Sequence, residues 1–109
     1  MNENIRKKII KMQHDEITEY HIYLKLAKRT KDKDNKKILE DIAEDELKHY
    51  NYWYERTKKD IKPKRWKIYF YYFISVIFGL TFGIKLMEKR EEEAQDKYEE
   101  LIERFDGAV

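Results

Sequence analysis

The sequence predicts an all-α protein that folds as one domain. Its 109 residues include only three glycines and one proline, far fewer than a turn-rich β-protein needs. Apolar residues make up 41% and charged residues 42%, a balance typical of long helices with one buried face and one solvated face. A chain of this length can build a core, but each buried polar group then needs a specific reason. We therefore treat residues 1–109 as a single helical domain.

Composition also narrows the classes of function. The 24 basic and 22 acidic residues leave a net charge of only +2, so general binding of nucleic acid is not expected. Because the chain has no cysteine, it offers no disulfide, thiolate ligand or cysteine nucleophile, and any metal must be held by oxygen and nitrogen. The first eleven residues carry charges throughout and lack the apolar core of a signal peptide, so we expect a cytoplasmic protein.

Two amphipathic helices are predicted in the first half of the chain. The first covers about residues 4–29 and the second about residues 36–59, separated by a polar run that offers Asp32 as a cap and followed by Pro63. Since the connection is short, the two helices should be antiparallel. The apolar residues of the two predicted inner faces are Ile5, Ile9, Met12, Tyr20, Tyr23, Leu26 and Ala27, then Ile38, Leu39, Ile42, Ala43, Tyr50 and Trp53.

The third part of the chain has a different character. Residues 68–84 carry no formal charge over 17 positions, and Lys62, Lys64, Arg65 and Lys67 precede them. As a helix this stretch would be about 26 Å long, at the short end for a bilayer crossing. We favour a connecting helix that is buried or lies at an interface, with a membrane segment as the alternative. A further amphipathic helix is predicted from about residue 86 to 105.

Carboxylates fall on the predicted inner faces, where charged residues are not expected. Glu16 lies in the centre of the apolar stripe of the first helix. Glu46 does so on the second helix, and His49 follows it by three residues, which places the two side chains on one face as a Glu-x-x-His pair. On the last helix Glu91 shares a face with Tyr98. Helical periodicity thus aims three carboxylates and one imidazole inward.

Burial of several carboxylates near one another costs several kcal/mol each or forces them to hold protons. A bound metal pair removes that cost, and glutamate with neutral histidine suits iron first, and manganese or zinc as alternatives. Tyr23 follows Glu16 by seven residues, and Tyr98 follows Glu91 by the same interval. A phenol two helical turns away can hydrogen-bond a ligating carboxylate and fix its orientation.

Each of these features also has an ordinary structural explanation. A Glu-x-x-His pair such as Glu46 and His49 arises by chance, and the two tyrosines can be plain core aromatics. The other histidines, His14 and His21, fall on the outer face of the first helix, where we expect solvated side chains. The occurrence of Glu16 and Glu91 on inner faces as well favours metal binding.

The same residues resemble the ferritin and rubrerythrin superfamily. The resemblance lies in residues 15–20 (Asp-Glu-Ile-Thr-Glu-Tyr), 43–50 (Ala-Glu-Asp-Glu-Leu-Lys-His-Tyr) and 79–88 (Gly-Leu-Thr-Phe-Gly-Ile-Lys-Leu-Met-Glu). It is closest to the ferritin-like domain that precedes vacuolar-iron-transporter-type membrane domains. The resemblance implies a ferritin-like helical bundle with a di-iron or di-manganese carboxylate centre, in which Glu16, Glu46, His49 and Glu91 are ligands. It further implies binding and oxidation of Fe²⁺, as in a ferroxidase or peroxidase-type oxidoreductase, with a role in iron homeostasis or protection from oxidative stress.

The sequence departs from that family in its last helix. The fourth helix of such a bundle normally supplies a second Glu-x-x-His or Glu-x-x-Glu pair, whereas here only Glu91 and Tyr98 precede the end at Val109. Three interpretations remain open: a truncated or divergent relative, a homodimer that completes the site, and a site that holds metal weakly. The expected partners are metal ions, a second copy of the chain, and a membrane or iron-transporter domain.

A rival interpretation is a membrane-associated helical interaction module without redox chemistry. In that case Lys62, Lys64, Arg65 and Lys67 would meet anionic lipid. Binding of nucleic acid through the same basic residues is least favoured, because no recognisable reading helix accompanies them.

Overall fold

In the computed structural model of the chain, the described residues are 2–83, 85, 86, 89 and 92. They form three long helices, α1 (Glu3–Arg29), α2 (Lys33–Thr57) and α3 (Arg65–Phe78). No strand occurs within this described part. The prediction of an all-α helical bundle is confirmed, and the first two helices begin and end close to their predicted positions. The predicted last helix lies almost wholly outside the described residues.

Polar caps fix the ends of α1 and the start of α2. Asn2 accepts a hydrogen bond from the backbone N–H of Asn4 at 2.8 Å, and Asp32 accepts one from Asn35 at 2.9 Å. At the other end of α1, the Thr30 hydroxyl donates to the carbonyl of Leu26 at 2.8 Å. These bonds satisfy backbone groups that a helix end would otherwise leave unpaired. The two helices can therefore follow one another after a very short connection.

Helices α1 and α2 form an antiparallel hairpin with an apolar cluster towards each end. One cluster joins α1 with α2 and also includes Tyr71 of α3; its other members are Ile22, Tyr23, Leu26, Ala27, Leu39 and Ala43. The other joins Ile9 and Met12 of α1 with Trp53 of α2. The prediction that Ile38 faces inward is wrong, since 56% of it is exposed. Its neighbour Leu39 occupies the contact with α1 instead, and one residue along a helix turns the side chain by about 100°.

The loop between α2 and α3 is anchored to α2 by Tyr50. Its hydroxyl donates to Asp60 Oδ1 at 2.6 Å and accepts from the backbone N–H of Ile61 at 2.8 Å. Burial, followed by the hydrogen bond to Asp60, raises the pKa of Tyr50, so the phenol remains a donor at neutral pH. The break that Pro63 predicts is confirmed, since residues 58–64 are not helical.

The same loop is also bonded to α1. The Gln13 side chain donates to the carbonyl of Lys59 at 3.0 Å and accepts from the Thr57 hydroxyl at 2.8 Å. Five residues along α1, the Thr18 hydroxyl accepts from the backbone N–H of Lys64 at 2.9 Å. Because these contacts lie on both sides of Glu16 along the helix, they fix the rotation of α1 at that point.

Helix α3 packs on α1 and buries only a narrow face. Its buried residues are Tyr71 and Ser75, and Lys25 of α1 lies 4.6 Å from the centroid of the Tyr72 ring. The helix ends at Gly79, whose φ of 101° and ψ of 151° belong to a region that only glycine adopts readily. The uncharged run is therefore broken at Gly79 and is largely exposed before it. Among the described residues, no helix combines the length and the apolar character needed to cross a bilayer.

We predict that Tyr50→Phe destabilises the protein by about 1–3 kcal/mol. The substitution removes the acceptor of the buried Ile61 N–H and the donor to Asp60 while leaving the ring in place. Urea unfolding followed by circular dichroism measures the change. Tyr54→Phe is the control, because Tyr54 lies one turn along α2 and 37% of it is exposed. Equal effects of the two substitutions would contradict this role for the Tyr50 hydroxyl.

Candidate metal centre

Two carboxylates are buried where α1 and α2 face one another. Glu16 is 5% exposed and Glu46 is 3% exposed. Glu16 lies midway between Ile9 and Tyr23, which are fully buried on the same face of α1. The predictions that Glu16 and Glu46 point inward are therefore confirmed. The two side chains occupy the stretch between the two apolar clusters of the hairpin.

His49 joins this carboxylate pair. Its Nδ1 atom lies 3.8 Å from Glu16 Oε2 and 3.8 Å from Glu46 Oε1. Both distances exceed those of hydrogen bonds but are short enough for strong electrostatic interaction. The His49 side chain is 31% exposed, so it is the solvent-facing member of the group. Three of the four predicted ligands thus meet between α1 and α2.

The surroundings of Glu16 disfavour its ionised form. Burial, and then the negative charges of Glu19 and Asp15, raise the pKa of Glu16 from 4.5 to about 9. In addition, Glu16 Oε1 is buried and accepts no hydrogen bond from the described residues. At neutral pH such a carboxyl group needs either a proton or a nearby cation.

The donor atoms suit a first-row metal, but they are not yet arranged around one. Two carboxylates and an imidazole are hard or borderline ligands of the kind that iron, manganese and zinc prefer. Two ligands of one ion at about 2.1 Å are typically about 3 Å apart, which is closer than the 3.8 Å seen here. Within the described part of the chain, no group of three histidine or carboxylate side chains is already positioned to hold a metal ion. Binding of a metal ion would therefore require His49 Nδ1 and the two carboxylate oxygens to approach one another by about 0.8 Å.

One of the remaining predicted site residues, Tyr23, lies within the described part of the chain. Glu91 and Tyr98 lie outside the described residues. Tyr23 is fully buried and belongs to the apolar cluster with Ile22 and Leu26. Its predicted hydrogen bond to a ligating carboxylate remains a prediction.

Sequence reasoning missed the buried polar residues beside the carboxylates. Gln13 lies one turn before Glu16 on α1 and is fully buried, and Thr18 is 2% exposed. Gln13 could have been found by the stepping that located Glu16, because i and i+3 share a face. The donors to these residues are Thr57 at the end of α2 and the backbone N–H of Lys64 in the loop, and helical periodicity along α1 does not predict either contact.

The prediction that His14 and His21 are solvated is wrong in part, because both are half-buried. His14 Nδ1 lies 3.1 Å from the carbonyl oxygen of Lys62, and the His21 ring packs edge-on against Tyr20. Burial lowers the pKa of His21. Helix α1 contacts α2, α3 and the intervening loop, so less of its circumference faces water than a two-helix picture suggests.

Comparison of the chain with family models, curated proteins and solved structures finds no match. The described part of the chain is an all-α helical bundle in which two carboxylates and a histidine are grouped between antiparallel helices. The resemblance to the ferritin and rubrerythrin superfamily rests on the sequence motifs.

We predict that the metal-free protein loses stability with rising pH through Glu16. Because the pKa of Glu16 is raised in the folded protein, the folded state holds a proton that the unfolded state releases above pH 4.5. The stability that this proton contributes is fully present below pH 4.5 and is lost as the pH rises through about 9. At neutral pH the loss amounts to about 3 kcal/mol. Urea unfolding at a series of pH values, with a chelator present, measures the slope.

Glu16→Gln should remove this pH dependence, because the amide has similar shape and does not ionise. Glu44→Gln is the matched control, since Glu44 is exposed on α2. A slope in Glu16→Gln equal to that of the unmodified protein would show that another group is responsible.

Proposed function

We propose that this protein binds iron, or a similar metal such as manganese or zinc, between α1 and α2 through Glu16, Glu46 and His49. The observation that carries the proposal is the grouping itself. Two carboxylates buried on facing helices share one imidazole, which lies 3.8 Å from an oxygen of each. A cation there would offset the cost of burying the carboxylates.

An ordinary helix pair with a protonated glutamate is the main competing explanation. It accounts for the burial of Glu16 but not for the enrichment of acidic groups around it. Asp15 and Glu19 both act on Glu16 through their negative charges, which makes this part of α1 attractive to a cation. Apolar residues of similar volume would stabilise the same contact at least as well. The charge pattern therefore favours metal binding.

The protein groups have definite tasks in such a site. Glu16 must release the proton that its raised pKa retains, so metal binding should release protons to solution. His49 must be neutral to donate a lone pair, and its Nδ1 is the atom that faces the carboxylates. Because part of the His49 side chain is exposed, the edge of the hairpin beside it is the natural route of access from solvent.

A two-metal centre is the more specific form of the proposal. Three ligands are too few for two ions, so a pair requires further oxygen donors, which Glu91 or a second copy of the chain would supply. Glu46, which offers two oxygens beside His49, is the natural bridge. Bound iron would supply a change of oxidation state between Fe²⁺ and Fe³⁺, and with O₂ or peroxide as oxidant this defines a ferroxidase or peroxidase-type activity. We place that activity in iron homeostasis or in protection from oxidative stress.

Metal content tests the binding proposal directly. Protein purified without chelator should contain at least about one metal ion per two chains, and Glu46→Ala or His49→Ala should weaken binding by at least about tenfold. Elemental analysis and anaerobic titration with Fe²⁺, Mn²⁺ and Zn²⁺ measure content and preference.

Glu44→Ala is the matched control, because Glu44 is exposed on α2 only two residues from Glu46. Circular dichroism of metal-free Glu46→Ala checks that the variant still folds, so that loss of metal from it reports the loss of a ligand. Metal content that is low, or that is unaltered in both variants, would contradict the proposal.

Oxidation of Fe²⁺ tests the redox part separately. Under air, the protein should accelerate the appearance of Fe³⁺ absorbance over the rate in buffer, and Glu46→Ala should return the rate to that of buffer. Light scattering of the same sample, with and without iron, shows whether two chains complete the centre. If the protein binds Fe²⁺ but oxidises it no faster than buffer, the proposed metal site stands and the proposed oxidation of Fe²⁺ is contradicted.

A further inference from the structure

The outward side of α3 is apolar and largely exposed. Trp66, Phe70, Phe73 and Ile77 follow one another at intervals of four, three and four residues, and they therefore form one stripe along the helix. Trp66 is 65% exposed, Phe73 is 55% and Ile77 is 71%. Tyr69 and Val76 flank the stripe and are exposed as well. We call these six residues the aromatic face.

The aromatic face presents a large apolar area to its surroundings. Each aromatic side chain has about 200 Å² of surface, so even half-exposed rings together present an apolar area on the order of 500 Å². Phe78 and Phe82, at 66% and 51% exposure, extend it past the end of α3. An apolar patch of this size is as large as the largest patch on a typical monomeric protein, and such patches are often binding surfaces.

Basic residues accompany the aromatic face at its N-terminal end. Residues 58–67 contain six basic residues and one acidic residue, and residues 61–87 contain no aspartate or glutamate. Since residues 58–67 are strongly basic and the whole chain has a net charge of only +2, the residues outside this segment are net negative. The side chain of Lys62 is 86% exposed, and Arg65 is exposed beside Trp66. Whatever covers the aromatic face is thus expected to carry negative charge.

The placement of α3 suits a helix that lies flat on a membrane. Its opposite side is committed to the protein, because Tyr71 and Ser75 are buried and Lys67 lies 4.0 Å from Asp15 of α1. At 14 residues the helix is about 21 Å long, which is too short to cross a bilayer. A helix with one apolar face and basic flanking residues instead inserts that face at the boundary between headgroups and acyl chains. Trp66 lies at the end nearest the basic residues, where an indole ring favours the headgroup level.

A second copy of the chain fits this surface less well. Two aromatic faces in contact would also bury basic flanks for which residues 61–87 supply no acidic counterpart. Anionic headgroups provide that negative charge, and each basic residue near such a surface contributes about 1 kcal/mol of attraction. We propose that the aromatic face of α3, with Lys62 and Arg65, docks on the surface of an anionic lipid bilayer. This surface is separate from the metal centre and does not depend on it.

Vesicle binding tests the proposal with the intact chain. Vesicles of phosphatidylcholine containing phosphatidylserine should co-sediment the protein, whereas pure phosphatidylcholine should bind it at least about tenfold more weakly. Added salt should weaken the binding, since the headgroup contacts are screened. Trp66 provides a second readout, because Trp53 is fully buried and only Trp66 is placed to meet lipid. Its emission should shift to shorter wavelength on binding, and Trp66→Phe should abolish the shift.

Substitutions separate the two components of the surface. The double variant Phe73→Ser, Ile77→Ser should weaken vesicle binding at least about tenfold through lost apolar burial. Ile38→Ser is its control, because Ile38 is 56% exposed but lies on α2. The variant Lys62→Glu, Arg65→Glu should remove the preference for anionic vesicles, whereas Lys7→Glu, Lys8→Glu, exposed on α1, should retain it. Since all the substituted residues are exposed, circular dichroism should remain unchanged.

Three results would overturn the proposal. The first is absence of binding to anionic vesicles, and the second is vesicle binding that the variant Phe73→Ser, Ile77→Ser leaves unaltered. The third is a dimer in solution that dissociates in this variant, while vesicles bind neither the unmodified protein nor the variant. The last result would assign the aromatic face to a second copy of the chain. Glu46→Ala should bind vesicles as the unmodified protein does. The vesicle experiment therefore tests the membrane proposal separately from the metal proposal.

Discussion

The packing of α1 against α2 is the constraint on which the rest of the structure depends. Apolar clusters towards both ends of the hairpin hold the helices in one register, and Glu16 and Glu46 are buried because they lie between those clusters. A different rotation of either helix would expose the carboxylates and remove His49 from them. The burial of Leu39, Ala43 and Trp53 therefore stabilises an arrangement that is electrostatically costly at its centre.

The loop between α2 and α3 strengthens this register. Tyr50 holds the loop to α2, and Gln13 and Thr18 hold it to α1 on either side of Glu16 along the helix. Hydrogen bonds to buried backbone groups are directional, whereas apolar packing alone tolerates small rotations. The polar contacts of the loop thus define the orientation of the turn that carries Glu16 more narrowly than the apolar clusters can.

Two regions of the molecule favour binding of another group: the contact between α1 and α2, and the exposed side of α3. Between α1 and α2, a buried carboxyl group with a pKa of about 9 requires a proton or a cation. On α3, exposed aromatic side chains lie beside basic residues, a combination that favours a partner with apolar and negatively charged groups. The proposals of a metal ion and an anionic bilayer follow from these two features, and they are independent because the α1–α2 hairpin and the outer side of α3 share no residue.

The residue pattern alone predicted the all-α class, the antiparallel hairpin, the break near Pro63 and the inward direction of Glu16 and Glu46. It could do so because helical periodicity fixes which residues of one helix share a face. What lies on the other side of that face depends on contacts between helices, which periodicity within one helix does not predict. In the folded protein Ile38 is exposed and Leu39 is buried, His14 and His21 lie against neighbouring groups, and one side of α3 is uncovered. Periodicity therefore predicts that the carboxylates beside His49 point inward. Their distances from His49 and the raised pKa of Glu16 depend on the packing of α1 against α2.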